Sequence, residues 1–192
     1  MRRQHYLMAT VFAATTFAGL SAVVAIVAPP PLAIWNASAS APIGLYRIHP
    51  DRDPPIGALV AIAPPERLSR WLSARGYLPE GVPLLKHVAA KAGQRVCRIG
   101  AVVSVDVRRV AIARARDGQG RPLPVWQGCR TLQPGELLLL NPAHPDSLDG
   151  RYFGPLPASA VIGRATPLWL RAPSQSPSTP EAKEIGHANE YL

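Results

Sequence analysis

Leu84-Leu85-Lys86-His87-Val88-Ala89, Arg95-Val96-Cys97-Arg98-Ile99, Val102-Val103-Ser104-Val105-Asp106-Val107 and Val110-Ala111-Ile112-Ala113-Arg114-Ala115 follow one another along a single stretch of chain. Each run is short and rich in β-branched or aliphatic residues. Glycine or charged residues part it from the next, and consecutive strands read this way. Asp117-Gly118-Gln119-Gly120 is a hairpin-type turn signal, Pro134-Gly135 is another, and Glu136–Leu140 adds one more run. Upstream, Leu45-Tyr46-Arg47-Ile48 and Leu59-Val60-Ala61-Ile62 alternate with turns between Pro42 and Pro65. One interruption is helical: in Pro65–Leu72 the side chains of Leu68, Trp71 and Leu72 share a face, and Gly76 and Pro79 close the segment. Short strands at regular spacing predict a mainly β domain, a β-barrel or sandwich-like core with one short helix, and not a parallel α/β sheet.

The 192 residues leave room for one domain with an anchor and a tail. Met1-Arg2-Arg3-Gln4-His5 is a short basic leader, and Tyr6 to Ala28 then runs without a charge. About 20 such residues cross the hydrocarbon core of a bilayer, and arginines ahead of them stay in the cytoplasm. The rest of the chain then faces the exported side. Pro29-Pro30-Pro31 ends such a helix. Ala37-Ser38-Ala39 ahead of Ser40 offers the small-x-small cleavage site of a removed signal peptide. Against cleavage, the apolar run exceeds the ~7–15 residues of a signal-peptide core, and the cut would split the turn around Ser40. We therefore expect residues 1–34 to form a retained transmembrane anchor, 35–172 a β-rich domain, and 173–192, dominated by Ser, Pro, Thr, Glu and Lys, a disordered tail.

The net charge is +9, from 21 lysines and arginines against 12 acids. Arg98, Arg114, Arg116, Arg121, Arg130 and Arg164 stand singly, without interleaved aromatics. That is not the clustered footprint of a nucleic-acid binder, and anionic lipid headgroups are the better partner for this charge. No HExxH, P-loop or paired CxxC occurs, so neither metal nor cofactor is expected. Cys97 and Cys129 are the only cysteines. Without matching histidines they make a poor metal site, which leaves either a disulfide, favoured by an oxidising compartment, or two buried free thiols.

Only Lys86, Lys91 and Lys183 are lysines. A guanidinium cannot serve as a base, so a lysine inside an apolar strand of an arginine-preferring chain is chemically distinctive. Ser40 lies in Ser38-Ala39-Ser40-Ala41-Pro42-Ile43-Gly44, a turn that can expose a hydroxyl. Together Ser40 and Lys86 suggest a Ser–Lys dyad, in which a neutral amine takes the proton of the attacking hydroxyl. Leu84, Leu85 and Val88 around Lys86 disfavour its ammonium form and move it toward the range base catalysis needs. Taken alone, Ser40 reads as well as a linker serine and Lys86 as an edge-strand lysine with its head in water. His87 falls on the opposite face of the strand from Lys86, and His144 sits in the rigid loop Pro142-Ala143-His144-Pro145. Neither comes with an orienting partner.

Three blocks in order carry a resemblance. Ser38-Ala39-Ser40-Ala41-Pro42-Ile43-Gly44-Leu45-Tyr46 is similar to the nucleophile block of the signal peptidase I superfamily, above all its conjugative, TraF-type branch. Leu85-Lys86-His87-Val88-Ala89-Ala90-Lys91-Ala92-Gly93 resembles its lysine block, and Ser147-Leu148-Asp149-Gly150-Arg151-Tyr152-Phe153-Gly154-Pro155 its terminal Ser-x-Asp-Ser-Arg-Tyr-Phe-Gly-Pro block. The chain departs at Gly150, where that family usually has serine, and at His87, where arginine is common. The resemblance implies a signal-peptidase-like fold, with Ser40 as nucleophile, Lys86 as general base and Ser38 joining the Ser40 N–H in an oxyanion hole. Ser147 would orient the lysine amine, Asp149 would belong to the site and Arg151 would brace it. It further implies a bacterial inner-membrane serine endopeptidase, its domain periplasmic, maturing a conjugative pilin precursor. The acyl-enzyme would pass either to water or to the substrate's own amine, which would give a cyclic product. A general signal peptidase is the alternative within the class. A non-catalytic periplasmic component of a conjugative secretion apparatus is the alternative outside it.

Overall fold

The computed structural model describes residues 2–27 and 32–172. In chain order the elements are α1 (Arg2–Val27), β1 (Ala33–Asn36), β2 (Gly44–His49), β3 (Leu59–Ile62), α2 (Glu66–Ala74), β4 (Leu84–Ala90), β5 (Arg95–Ile99), β6 (Val102–Val105) and β7 (Arg108–Ile112). Then come β8 (Gly128–Thr131), β9 (Glu136–Leu140), α3 (Gly150–Phe153), β10 (Leu156–Pro157) and β11 (Val161–Leu170). The protein is mainly β, as the strand spacing predicts. The helix-ending prolines 29–31 and the expected tail 173–192 lie outside the described residues.

Within α1 the stretch Arg3–Val23 has a mean hydropathy of 1.5 and buries nothing in the protein, and it is long and apolar enough to cross a membrane. The strands build two antiparallel sheets. One has seven strands in the order β1-β2-β11-β3-β4-β9-β10, and the other has four in the order β7-β6-β5-β8. Strand β9 explains how they meet. Its Glu-Leu-Leu-Leu-Leu has no polar alternation because both faces are covered. Leu137 and Leu139 pack with Val60, Ile62 and Val88, while Leu138 and Leu140 pack with Val96, Val103 and Leu132 of the second layer.

Several elements depart from the strand pattern in the sequence, each for a local reason. The run Val102–Val107 stops at Val105 because Asp106 adopts φ 53° and turns the chain, so β7 begins earlier, at Arg108. Aspartate is among the few side chains that tolerate that conformation. Strand β11 is the longest in the fold and hid behind Pro167, which lacks an N–H to donate; the ladder with β2 shifts register between Pro167 and Trp169 to accommodate it. Strands β1, β8 and β10 are too short to leave a periodic signal. Cys97 on β5 lies directly opposite Cys129 on β8, and the two form a disulfide.

Candidate active site

The chain leaves β1 at Asn36 and returns as β2 at Gly44, its register partner, so residues 37–43 form a loop closed at its base. Buried Asn36 holds that loop from inside. Its Nδ2 lies 2.9 Å from the Ser38 carbonyl and 3.0 Å from those of Ala41 and Pro42, and its Oδ1 accepts the Ser38 N–H at 3.2 Å, an Asx turn. The Tyr46 hydroxyl donates to the Pro42 carbonyl at 2.7 Å. Gly44 is needed because a Cβ there would come within 2.1 Å of the Trp169 carbonyl oxygen on β11. The Ser-Ala-Pro-Ile-Gly-Leu-Tyr block is therefore a set of fasteners that sets Ser40, half-buried, at the loop's crest.

Lys86 lies on β4 opposite Val60 of β3, and only 2% of it is exposed. Its Nζ donates to Ser147 Oγ at 2.9 Å and stands 3.4 Å from Ser40 Oγ, which in turn is 2.9 Å from Ser38 Oγ. Burial pushes the Lys86 ammonium down from 10.5 to about 8; the Asp149 carboxylate works against that shift and the Arg151 guanidinium with it. The 3.4 Å separation is long for a formed hydrogen bond, yet within the range that tightens once substrate is bound. The structure thus brings Ser38, Ser40, Lys86 and Ser147 into one connected chain of polar atoms.

Asp149 and Arg151 form a different unit. Both are buried, and the carboxylate accepts the Arg151 Nε at 2.9 Å, Nη2 at 2.8 Å and backbone N–H at 3.1 Å, together with the Asn141 N–H at 2.9 Å. Arg151 also donates to the carbonyls of Asn141, His144 and Pro145. Both carboxylate oxygens are engaged, and among the described residues Asp149 makes no hydrogen bond to Lys86 or Ser40. It bears on Lys86 through its charge, and it braces the 141–151 loop that carries Ser147. Burying this pair without loss requires just such full hydrogen bonding.

At Gly150, where serine resembles the family better, the reason for glycine is steric. A Cβ would meet the Leu139 carbonyl oxygen at 2.8 Å and Leu138 Cδ1 at 2.7 Å. His87 indeed turns away from Lys86: its Nδ1 is 3.0 Å from Asn141 Oδ1. Lys91 pairs with Asp53 on the surface. Two supporting residues escaped the sequence analysis, Asn36 and Asn141. The second donates from Nδ2 to the Leu85 carbonyl at 3.0 Å, beside Lys86, and so ties the acid–arginine loop to β4. An asparagine two residues before a serine at a strand end, and the dipeptide Asn141-Pro142, are turn signals that could have marked both.

Ser40, Lys86 and Ser147 open onto a cleft of about 480 Å³ between edge strand β1 and the start of β4, with Ile34, Leu72, Tyr77, Val82 and Leu84 as apolar walls. Among the described residues no cluster of three or more His, Cys, Asp or Glu side chains could hold a metal ion. A buried amine of lowered basicity within reach of a hydroxyl can do nucleophilic acyl chemistry, and a cleft bordered by edge strand β1 can take an extended chain.

A family profile for signal peptidase, peptidase S26, matches residues 3–170. A probable conjugal transfer protein TraF of Sinorhizobium fredii is 40% identical over 148 residues, 72% of this chain and 77% of that one. The conjugal transfer protein TraF of Agrobacterium fabrum is 36% identical over 150 residues, 72% of this chain and 82% of its own. A plasmid transfer protein TraF of Escherichia coli is 34% identical over 146 residues, covering 69% and 80%. Among solved structures, a signal peptidase I of Enterococcus faecalis matches with a TM-score of 0.36 at 16% identity, over 59% of this chain and 97% of that one. The match runs from the apolar helix through the serine loop, the lysine strand and the acid–arginine turn to the end of β11: the chain belongs to the signal peptidase, peptidase S26 family.

Proposed function

We propose that the protein is a membrane-anchored serine endopeptidase with a Ser40–Lys86 dyad, its domain on the periplasmic side, which processes exported precursors and in particular matures conjugative pilin. The observation that carries this reading is the Lys86 Nζ: buried, lowered to about 8, held by Ser147 and within 3.4 Å of the Ser40 hydroxyl. Neutral Lys86 takes the Ser40 proton as Oγ attacks the scissile carbonyl, and returns it to the leaving amine, so that an ester on Ser40 remains. The oxyanion is met by the Ser40 N–H and, after a rotation away from Ser40 Oγ, by the Ser38 hydroxyl. Ser147 keeps the amine aimed, and the Asp149–Arg151 pair holds the loop that carries Ser147. A second nucleophile, water or the substrate's own amine, then resolves the ester.

The conjugative substrate is supported by the names of the TraF relatives, and the anchor by the apolar helix. Co-expression of the candidate pilin precursor with wild type, Ser40→Ala or Lys86→Ala tests it by the mass of the product. Processing by wild type and by neither variant is expected. A product one water lighter than the linear mature chain marks resolution by the amine, and a product of linear mass marks hydrolysis. Normal processing by both variants would sink the dyad in favour of a non-catalytic role in the apparatus.

A further inference from the structure

Beside the apolar cleft lies a second hollow of about 320 Å³, formed by loops alone and lined by Ala39, Ser40, His144, Pro145, Asp146 and Ser147. The two spaces share Ser40, Asp146 and Ser147 as a common ridge. A polypeptide laid across the ridge with its scissile carbonyl at Ser40 Oγ can place one side of the bond in each. The larger cleft, walled by apolar side chains and flanked by strand β1 and the start of β4, suits the portion that stays attached to Ser40 as the acyl group. The smaller hollow is then left for whatever departs or arrives at the carbonyl carbon.

Its chemistry differs from that of the cleft. It holds no large aliphatic side chain, and His144 and Asp146 are the ionisable residues on its lining. His144 is half-buried and fixed by its backbone, whose carbonyl takes the Arg151 Nη2 at 2.7 Å, while its ring makes no hydrogen bond among the described residues. Asp146 pairs at the rim with Arg114 and is well exposed. We propose that this hollow is the leaving-group subsite, in which His144 selects a small polar residue as the first one after the scissile bond. A large apolar side chain there would strip water from the imidazole and from the carboxylate without offering either a partner. The proposal rests on the Ser40 acyl-enzyme reading above.

An acyl-transfer experiment reads this subsite without a known substrate. Full-length protein in detergent is given an N-blocked peptidyl-alanine 4-nitrophenyl ester, together with serinamide, asparaginamide, leucinamide or phenylalaninamide as competing nucleophile. In the capture step the ester bond to Ser40 Oγ breaks and a C–N bond to the amine forms. The amine's proton passes through Lys86 Nζ to Ser40 Oγ. The ratio of amide product to acid product is internal to each reaction, so it does not depend on how much active protein is present. In wild type, serinamide and asparaginamide are expected to capture the acyl group about 10-fold or more better than leucinamide, within the range a single side-chain mismatch produces. His144→Leu should bring that preference close to unity, and His144→Asn, which keeps a polar wall, should retain it. Equal or better capture by leucinamide in wild type overturns the subsite, and so does an undiminished preference in His144→Leu. Failure of wild type to turn over the ester, or turnover that survives Ser40→Ala, strikes at the dyad itself and not at the hollow.

Discussion

In the proposed dyad Lys86 is the residue on which the chemistry depends, and its position costs the fold something. The folded value of about 8 lies below the unfolded 10.5. Below pH 8 both states carry the proton, and the folded protein bears the whole penalty of burying an ammonium, about 3 kcal/mol. Between pH 8 and 10.5 the unfolded chain holds a proton that the folded one has released, so stability rises with pH, and above 10.5 the penalty is gone. Lys86→Met should therefore be inactive yet raise stability at about pH 7, with the gain shrinking toward about pH 10; denaturant melts at the two pH values measure it, and a gain that does not shrink contradicts the burial. Peptidase activity should climb with pH through a midpoint near 8, since only the neutral amine can accept the Ser40 proton. Ser38→Ala should lower kcat by about 10²–10³, the usual loss for one oxyanion donor, while Ser40 keeps reacting with a fluorophosphonate probe. The residue types at these positions were legible in the sequence. That Ser38 rests against Ser40 at 2.9 Å was not, because a loop hydroxyl's direction is set by how Asn36 and Tyr46, on either side of the loop, pin its carbonyls.

Among the elements, the acid–arginine turn shows how packing decides what sequence comparison cannot. Helix α3 begins at Gly150, wedged between the Leu138 side chain and the Leu139 carbonyl of β9. Gly150→Ser would bring the chain nearer to the pattern it resembles, yet its Cβ has no room here. It should destabilise the protein by about 1–3 kcal/mol, the usual cost of overpacking a fitted interior. A thermal melt reads this as a fall of several degrees, and an unchanged midpoint would mean that β9 yields easily. Strand β4 was recognisable from its apolar run, and β9 from four leucines in a row. Strand β11 was not, since Pro167 and the register shift beside it interrupt the alternation, and the strand is defined by its pairing with β2 and β3 on its two sides.

Across the whole molecule, two further features bear on stability and on the protein's surroundings. The disulfide between β5 and β8 links residues 32 apart in the smaller sheet, away from Ser40 and Lys86. Cys97→Ser with Cys129→Ser should lower stability by about 3–4 kcal/mol through the greater freedom of the unfolded chain, a loss that denaturant titration reads. Trp35 and Trp169 stack at 5.6 Å on the outer face of β1, β2 and β11, both more than half exposed, with Leu32, Leu168 and Leu170 also exposed. Five residues separate Val27 from Ala33, a reach of at most ~22 Å, so this corner is tethered near the end of α1. Tryptophans at such a place favour the headgroup region. In bilayers of brominated lipid the indole fluorescence should be quenched, and Trp35→Ser with Trp169→Ser should remove most of that quenching; unchanged quenching would set the corner away from the membrane. By itself the sequence determined the features that local chemistry sets: an apolar helix of spanning length, a domain of short strands, a serine loop, and one lysine in an apolar run. It also carried the three blocks that announce the family. The tertiary structure alone decided that residues 40, 86 and 147 meet, that Asp149 commits its oxygens to Arg151 and Asn141, that Gly150 admits no side chain, and that a second hollow opens beside His144. These depend on strands far apart in the chain packing against one another, and no local pattern encodes the distance between two side chains that only a folded sheet brings together.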